Sequence, residues 1–152
     1  MNDYKEFQFG WLIFALIIPI QIFITYVYLF NLGDKPFEII GFSTVSIILI
    51  FVYLLFYGLT TKISGDTIAI TFGIGLINRR IKMERIIAVE AVKNPWYYGW
   101  GIRYFPKGML YNISGSSGVE IRFKDTLDVI RIGTKNSAKL KLEIVKRIKL
   151  IT

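Results

Sequence analysis

With 152 residues, 53% of them hydrophobic, a net charge of +8 and neither cysteine nor histidine, the chain has room for one modest soluble core beside its apolar segments and excludes a second. Disulfides and thiolate metal sites are ruled out, and the commonest general base and metal ligand is missing, so neither an enzyme nor a cofactor is expected. The charge is uneven: 2 basic and 4 acidic residues precede Thr60, whereas 17 basic and 7 acidic residues from Thr60 onward leave that part at +10.

Gly10 to Phe30 and Ile39 to Leu59 contain no charged residue, and about twenty such residues carry a helix across the hydrocarbon of a bilayer. The expected arrangement is a transmembrane helical hairpin over residues 1–59, with spans of about 10–30 and 39–59, followed by a soluble domain over 60–152. The first span is read as retained rather than as a signal peptide, because Asp3, Lys5 and Glu6 give no basic flank and no small-x-small site follows. Pro19, Gln21 and Thr25 need a neighbouring helix to satisfy their polar groups, and Ser43, Thr44 and Ser46 in the second span suit close packing. The connector Asn31 to Glu38 is short enough to force an antiparallel pair. Trp11, Tyr26, Tyr28, Tyr53 and Tyr57 lie toward the span ends, where amphipathic rings prefer the headgroup level. Only Lys35 falls in the connector, against Lys62, Arg79, Arg80, Lys82 and Arg85 beyond the second span. That bias places the domain, and with an even span count both termini, in the cytoplasm.

From Thr60 the pattern changes to strands. Thr61 to Ser64, the turn Gly65-Asp66 and Thr67 to Phe72 read as a hairpin with Ile68, Ile70 and Phe72 on one face. Gly73 and Gly75 interrupt it, Leu76 to Lys82 continues, and Ile86 to Lys93 follows a bend at Glu84-Arg85. Residues 94–101 form a turn-rich aromatic loop, and Pro106-Lys107-Gly108 a further turn. Leu110 to Ile113 and Val119 to Phe123 read as the clearest strand pair, joined by Ser114 to Gly118, with Val119, Ile121 and Phe123 inward and Glu120, Arg122 and Lys124 facing water. Val129 to Ile132 is a last strand. Asn136 or Ser137 caps a helix to about Ile151, with Leu140, Ile144, Val145, Ile148 and Ile151 on one side and Lys139, Glu143, Lys146 and Arg147 on the other. That apolar stripe is expected to cover the sheet.

Gly73-Ile74-Gly75 and Gly99-Trp100-Gly101 lack the third glycine and the strand-to-helix setting of a dinucleotide fingerprint. The serines of residues 114–118 have no histidine to activate them. Two constellations remain. Arg79, Arg80, Lys82 and Arg85 are the densest basic cluster, suited to an anionic surface or phosphate through guanidinium geometry; the alternative is a solvated face that satisfies the positive-inside bias. Trp96, Tyr97, Tyr98 and Trp100 with Arg103 suit an interface with another protein or the headgroup layer; the alternative is a small satellite core. Nucleic acid, the other polyanion a basic domain serves, is not expected as a partner.

Ile86-Ile87-Ala88-Val89-Glu90, Asn94 to Arg103, Tyr111-Asn112-Ile113-Ser114-Gly115, Val119-Glu120-Ile121 and Ile132-Gly133-Thr134 together resemble the membrane-anchored bacterial pleckstrin-homology-like domain family. The resemblance covers roughly residues 60–152, and Gly-Trp-Gly-Ile-Arg and Tyr-Asn-x-Ser-Gly are its more specific parts. It implies six or seven strands in a partly open barrel capped by a C-terminal helix. The implied module is non-enzymatic and sits at a bacterial cytoplasmic membrane, with a protein or anionic lipid as partner. A homo-oligomeric scaffold or an accessory subunit of a larger membrane complex is the other role it implies. No phosphoinositide-binding motif carries over.

Overall fold

A short strand comes first: β1 (Tyr4–Phe9) leads through Gly10 into α1 (Trp11–Leu29), and α2 (Ile39–Phe56) returns the chain to β2 (Gly58–Ser64). The computed structural model describes residues 3–33 and 38–151. Lys35 and the middle of the connector lie outside them, as does the Ile151 side chain. Both helices are long and apolar enough to cross a membrane, with mean hydropathies of 2.3 and 2.6 and no buried residue. Several of their polar groups pair with one another, as apolar surroundings favour, while Gln21 Oε1 is buried without a partner among the described residues. Gln21 Nε2 donates to Ser46 Oγ at 3.0 Å and to Thr25 Oγ1 at 3.3 Å, and the Thr25 hydroxyl donates to the Gln21 carbonyl. Tyr28 stacks on Phe42 with ring centroids 4.4 Å apart.

The first sheet is antiparallel in the order β1-β2-β3-β4, with β3 at Thr67–Phe72 and β4 at Ile77–Lys82. Ser64 pairs with Thr67 across the Gly65-Asp66 turn, and Ile68, Ile70 and Phe72 are buried, as the alternation predicts. The boundary at Thr60 needs correction. β1 pairs with β2 from Tyr4↔Ile63 to Phe9↔Gly58, so residues before the helices belong to the sheet, and Leu59, expected in the second span, is fully buried in β2. The strand is inconspicuous because its polar side faces in. Gln8 is buried and its Nε2 donates to the Gly133 carbonyl at 2.7 Å. Glu6 accepts from the Tyr4 and Thr134 hydroxyls and from the Lys135 N–H. Phe7 and Phe9 face out.

The second sheet runs β5-β8-β9-β7-β6, with β5 at Ile86–Lys93, β6 at Gly101–Phe105, β7 at Gly108–Asn112, β8 at Ser117–Phe123 and β9 at Val129–Gly133. The described residues thus hold nine strands, β1 and β6 being the two the sequence pattern does not reveal. The expected pairing of residues 110–113 with 119–123 is also overturned. β9 lies between those strands, parallel to β7 through Tyr111↔Ile132 and antiparallel to β8 through Val119↔Ile132. Gly108 permits the approach, since a Cβ there would lie 2.0 Å from the Val129 carbonyl oxygen.

Ile63, Ile68 and Ile70 from one sheet, and Val119, Ile121 and Ile132 from the other, form one core with Leu140 and Ile144 of α3 (Ser137–Ile151). Asn136 caps α3 by accepting the Lys139 N–H at 2.9 Å. The helix packs on β5, β8 and the 3-10 turn Met83–Arg85. Arg147, expected on its solvent face, is buried instead: α3 crosses to the end of β2, where Arg147 Nη1 donates to the Ile63 carbonyl at 3.2 Å.

One end of the first sheet abuts the helical hairpin. Gln8 pairs with Leu59, Leu59 with Phe72, and Phe72 with Ile77, so the four strands end within one residue of a common row. The Gly10 N–H donates to the Tyr57 carbonyl, and the Gly73 N–H to Gly58. The β3–β4 turn passes beyond that row: the Ile74 N–H donates to the Leu54 carbonyl, inside the last turn of α2, at 3.1 Å. Gly73 has φ +46°, and a Cβ there would lie 2.0 Å from the same carbonyl oxygen.

Candidate functional site

β4 is an edge strand, and its alternation contains an anomaly. Ile77 and Ile81 point to the core, Ile81 being 4% exposed, which gives Arg79 between them a core-facing position opposite fully buried Ile70. A charged side chain on a core face is tolerated only where no apolar layer covers it. Here residues of both sheets line a cavity of about 270 Å³. Ile81, Tyr111, Phe123, Val129 and Ile130 give it apolar walls, and Arg79, Arg80, Arg85, Tyr104, Thr126 and Asp128 are its polar lining. The cleft therefore combines an apolar floor with guanidinium groups at its margin.

The four basic residues do not act alike. Arg85 donates from Nε and Nη2 to Asp125 and lies 5.7 Å from the centroid of Phe123; its hydrogen bond holds the Asp125 carboxyl below the usual carboxylate range. Lys82 stands 3.5 Å from Glu84 and does not line the cleft. Arg79 and Arg80 have no acidic partner within ion-pair distance among the described residues. A strand rises about 3.3 Å per residue, which puts Lys82 about 17 Å along β4 from the row that meets the hairpin, and Arg79 about 7 Å.

The aromatic loop is likewise divided. Trp96–Tyr98 form a short 3-10 turn ended by Gly99 at φ +69°. Trp96 is 81% and Tyr97 67% exposed, while Trp100 is at 36%. Tyr98 turns back, stacks on Phe105 at 5.7 Å and packs on Leu110 and Val129 as a second small core. The small satellite core that was the alternative reading thus forms around Tyr98 alone, while Trp96 and Tyr97 face out. Arg103 Nε donates to the Trp100 carbonyl at 3.2 Å, bracing the loop. Tyr104, 85% exposed on β6, was not singled out by the sequence pattern.

Behind that satellite core lies a charged network. Glu120, expected to face water, is 4% exposed. Arg131 Nε donates to its Oε2 at 2.9 Å and Arg122 Nε to its Oε1 at 3.2 Å. The Arg131 guanidinium lies 4.6 Å over Phe105. Burial opposes the ionised form of Glu120, but the two arginine hydrogen bonds outweigh it and leave the carboxyl below its ordinary pKa. The alternation has the right phase for Glu120; the far face of the sheet is simply covered too. An acid and an arginine at cross-strand positions, Glu120↔Arg131, were the signal available.

Comparison with protein-family models, with curated proteins and with solved structures finds no match.

Proposed function

We propose that this chain is an integral protein of a bacterial cytoplasmic membrane, whose helical hairpin anchors a non-enzymatic pleckstrin-homology-like binding module at the cytoplasmic face. In this reading the two sheets are the walls of a partly open barrel, α3 closes one gap between them, and the cleft beside β4 receives the anionic headgroup of a lipid. The observation that carries it is Arg79: a guanidinium with no acidic partner among the described residues, held at a core-facing strand position over an apolar-floored cleft. Arg80, at the next position of this edge strand and so on its other face beside Ala69, is a second guanidinium without an acidic partner among the described residues at the cleft's margin, and Lys82 and Arg85 are occupied by Glu84 and Asp125. A lipid phosphate offers both the charge and the oxygen pair that guanidinium binds best. The basic excess beyond the hairpin supports the cytoplasmic orientation.

The test uses the full chain in neutral detergent. A short-chain phosphatidylglycerol should raise the melting temperature more than the matching phosphatidylcholine, and the R79A/R80A variant should lose that difference. Equal shifts for both lipids, or an unchanged response in the variant, would overturn the reading.

A second reading rests on its own observation. Trp96, Tyr97 and Tyr104 are exposed rings near Arg103, and such groups are enriched at protein interfaces. The module would then join a homo-oligomer or a larger membrane complex through this face. Crosslinking in native membranes should give adducts that W96A/Y97A abolishes, with the lipid response intact.

A further inference from the structure

We infer that the β3–β4 turn, Gly73 to Leu76, is seated in the bilayer, with Ile74 and Leu76 against lipid acyl chains, so that the sheet is held at the membrane surface at a fixed tilt rather than hanging from a flexible tether. The inference rests on the proposed membrane-spanning role of the hairpin.

Three observations carry it. Ile74 and Leu76 are 52% and 65% exposed at the tip of a hairpin whose other apolar residues are in the core. Their turn is not free to swing away: the Ile74 N–H donates to the Leu54 carbonyl at 3.1 Å, and Gly73 lies against the Leu54 and Leu55 carbonyls where no Cβ fits. The depth follows from helix length. The 18 residues of α2 make about 27 Å at about 1.5 Å per residue, slightly less than the roughly 30 Å of bilayer hydrocarbon. A spanning α2 therefore has to be immersed to its last turn, which places Leu54 at the hydrocarbon boundary and brings the turn bonded to it to the same level. Phe9 and Trp11, 42% and 56% exposed at the base of α1, continue the apolar surface of the helices onto the sheet. The same row of strand ends leaves Arg79 within headgroup reach and points Lys82 away from the membrane.

Because the chain contains no cysteine, single substitutions give single labels. I74C and L76C, with I47C in mid-helix and D66C at the opposite end of the β2–β3 hairpin as references, are labelled with an environment-sensitive fluorophore. They are then reconstituted into vesicles of phosphatidylcholine and phosphatidylglycerol, some carrying a nitroxide near the top of the acyl chain and others one near its end. The expected result is blue-shifted emission at I74C, L76C and I47C, with I74C and L76C quenched most by the shallow nitroxide, I47C most by the deep one, and D66C by neither. Quenching at I47C while I74C and L76C behave like D66C overturns the inference and leaves the anchoring intact. Blue-shifted emission without lipid quenching at the turn overturns it in favour of a second protein chain covering the turn. No quenching at I47C removes the membrane-spanning reading and this inference with it.

Discussion

Glu120 sits between two arginines on a sheet face that the satellite aromatic core covers. Replacing it by Gln keeps the shape but leaves Arg131 charged against Phe105 and Tyr98 without its carboxylate. The expected loss is about 2–4 kcal/mol, the range for charge-assisted bonds to a buried group, read from denaturant unfolding of the full chain in detergent. Because the folded pKa of Glu120 is lowered, its contribution is complete above the ordinary carboxylate pKa and disappears as pH falls through the lowered value. The melting temperature should therefore fall on acidification, and E120Q should flatten that limb. A second pair of substitutions separates backbone conformation from crowding. Gly65 and Gly73 both have positive φ, +55° and +46°, but a Cβ at Gly65 meets open space whereas one at Gly73 meets the helix. G65A should cost about 1–2 kcal/mol, the left-handed penalty alone. G73A should cost clearly more, and equal losses would show that the turn does not press on α2.

The aromatic loop divides its work between a ring that packs and rings that face out, and alanine substitution should resolve the two. Y98A empties a site lined by Phe105, Leu110 and Val129 and should lose about 3 kcal/mol. W96A, at an exposed position, should stay within about 0.5 kcal/mol of the parent. Thermal unfolding of both variants decides it, and a larger loss for W96A would reverse the assignment. β1 shows why element-level reading failed there. Its in-facing residues are Tyr4, Glu6 and Gln8, of which Glu6 and Gln8 bond to groups of Gly133, Thr134 and Lys135, so its hydrophobic pattern points the wrong way. β6 escaped for a related reason, since only Phe105 of its five residues is buried.

At the scale of the molecule, the helical hairpin is an insertion between two paired strands. A fragment of residues 60–152 lacks β1 and the start of β2, and should lack a cooperative thermal transition. Joining residues 3–9 to 58–152 through a short Gly/Ser linker should restore one, because Phe9 and Gly58 are direct register partners. Cooperative melting of the 60–152 fragment alone would contradict this. Near-ultraviolet circular dichroism and scanning calorimetry read both outcomes.

Local chemistry determined a good deal of this protein from its sequence. Uncharged runs of helix-spanning length, the Ile68-Ile70-Phe72 alternation, the Gly65-Asp66 turn and the Asn136 cap each depend on residues close together in the chain. The basic cluster and the aromatic loop were visible for the same reason. Tertiary structure alone decided which members of those clusters are free. Arg79 is distinguished from Arg85 by Asp125, forty residues away, and Tyr98 from Trp96 by Phe105, Leu110 and Val129. It also decided that β9 lies between β7 and β8, that Glu120 and Arg147 are buried, and that a strand before the helices completes a sheet after them. These outcomes depend on which faces meet across long stretches of chain, and strand periodicity specifies the phase of a face without specifying what covers it.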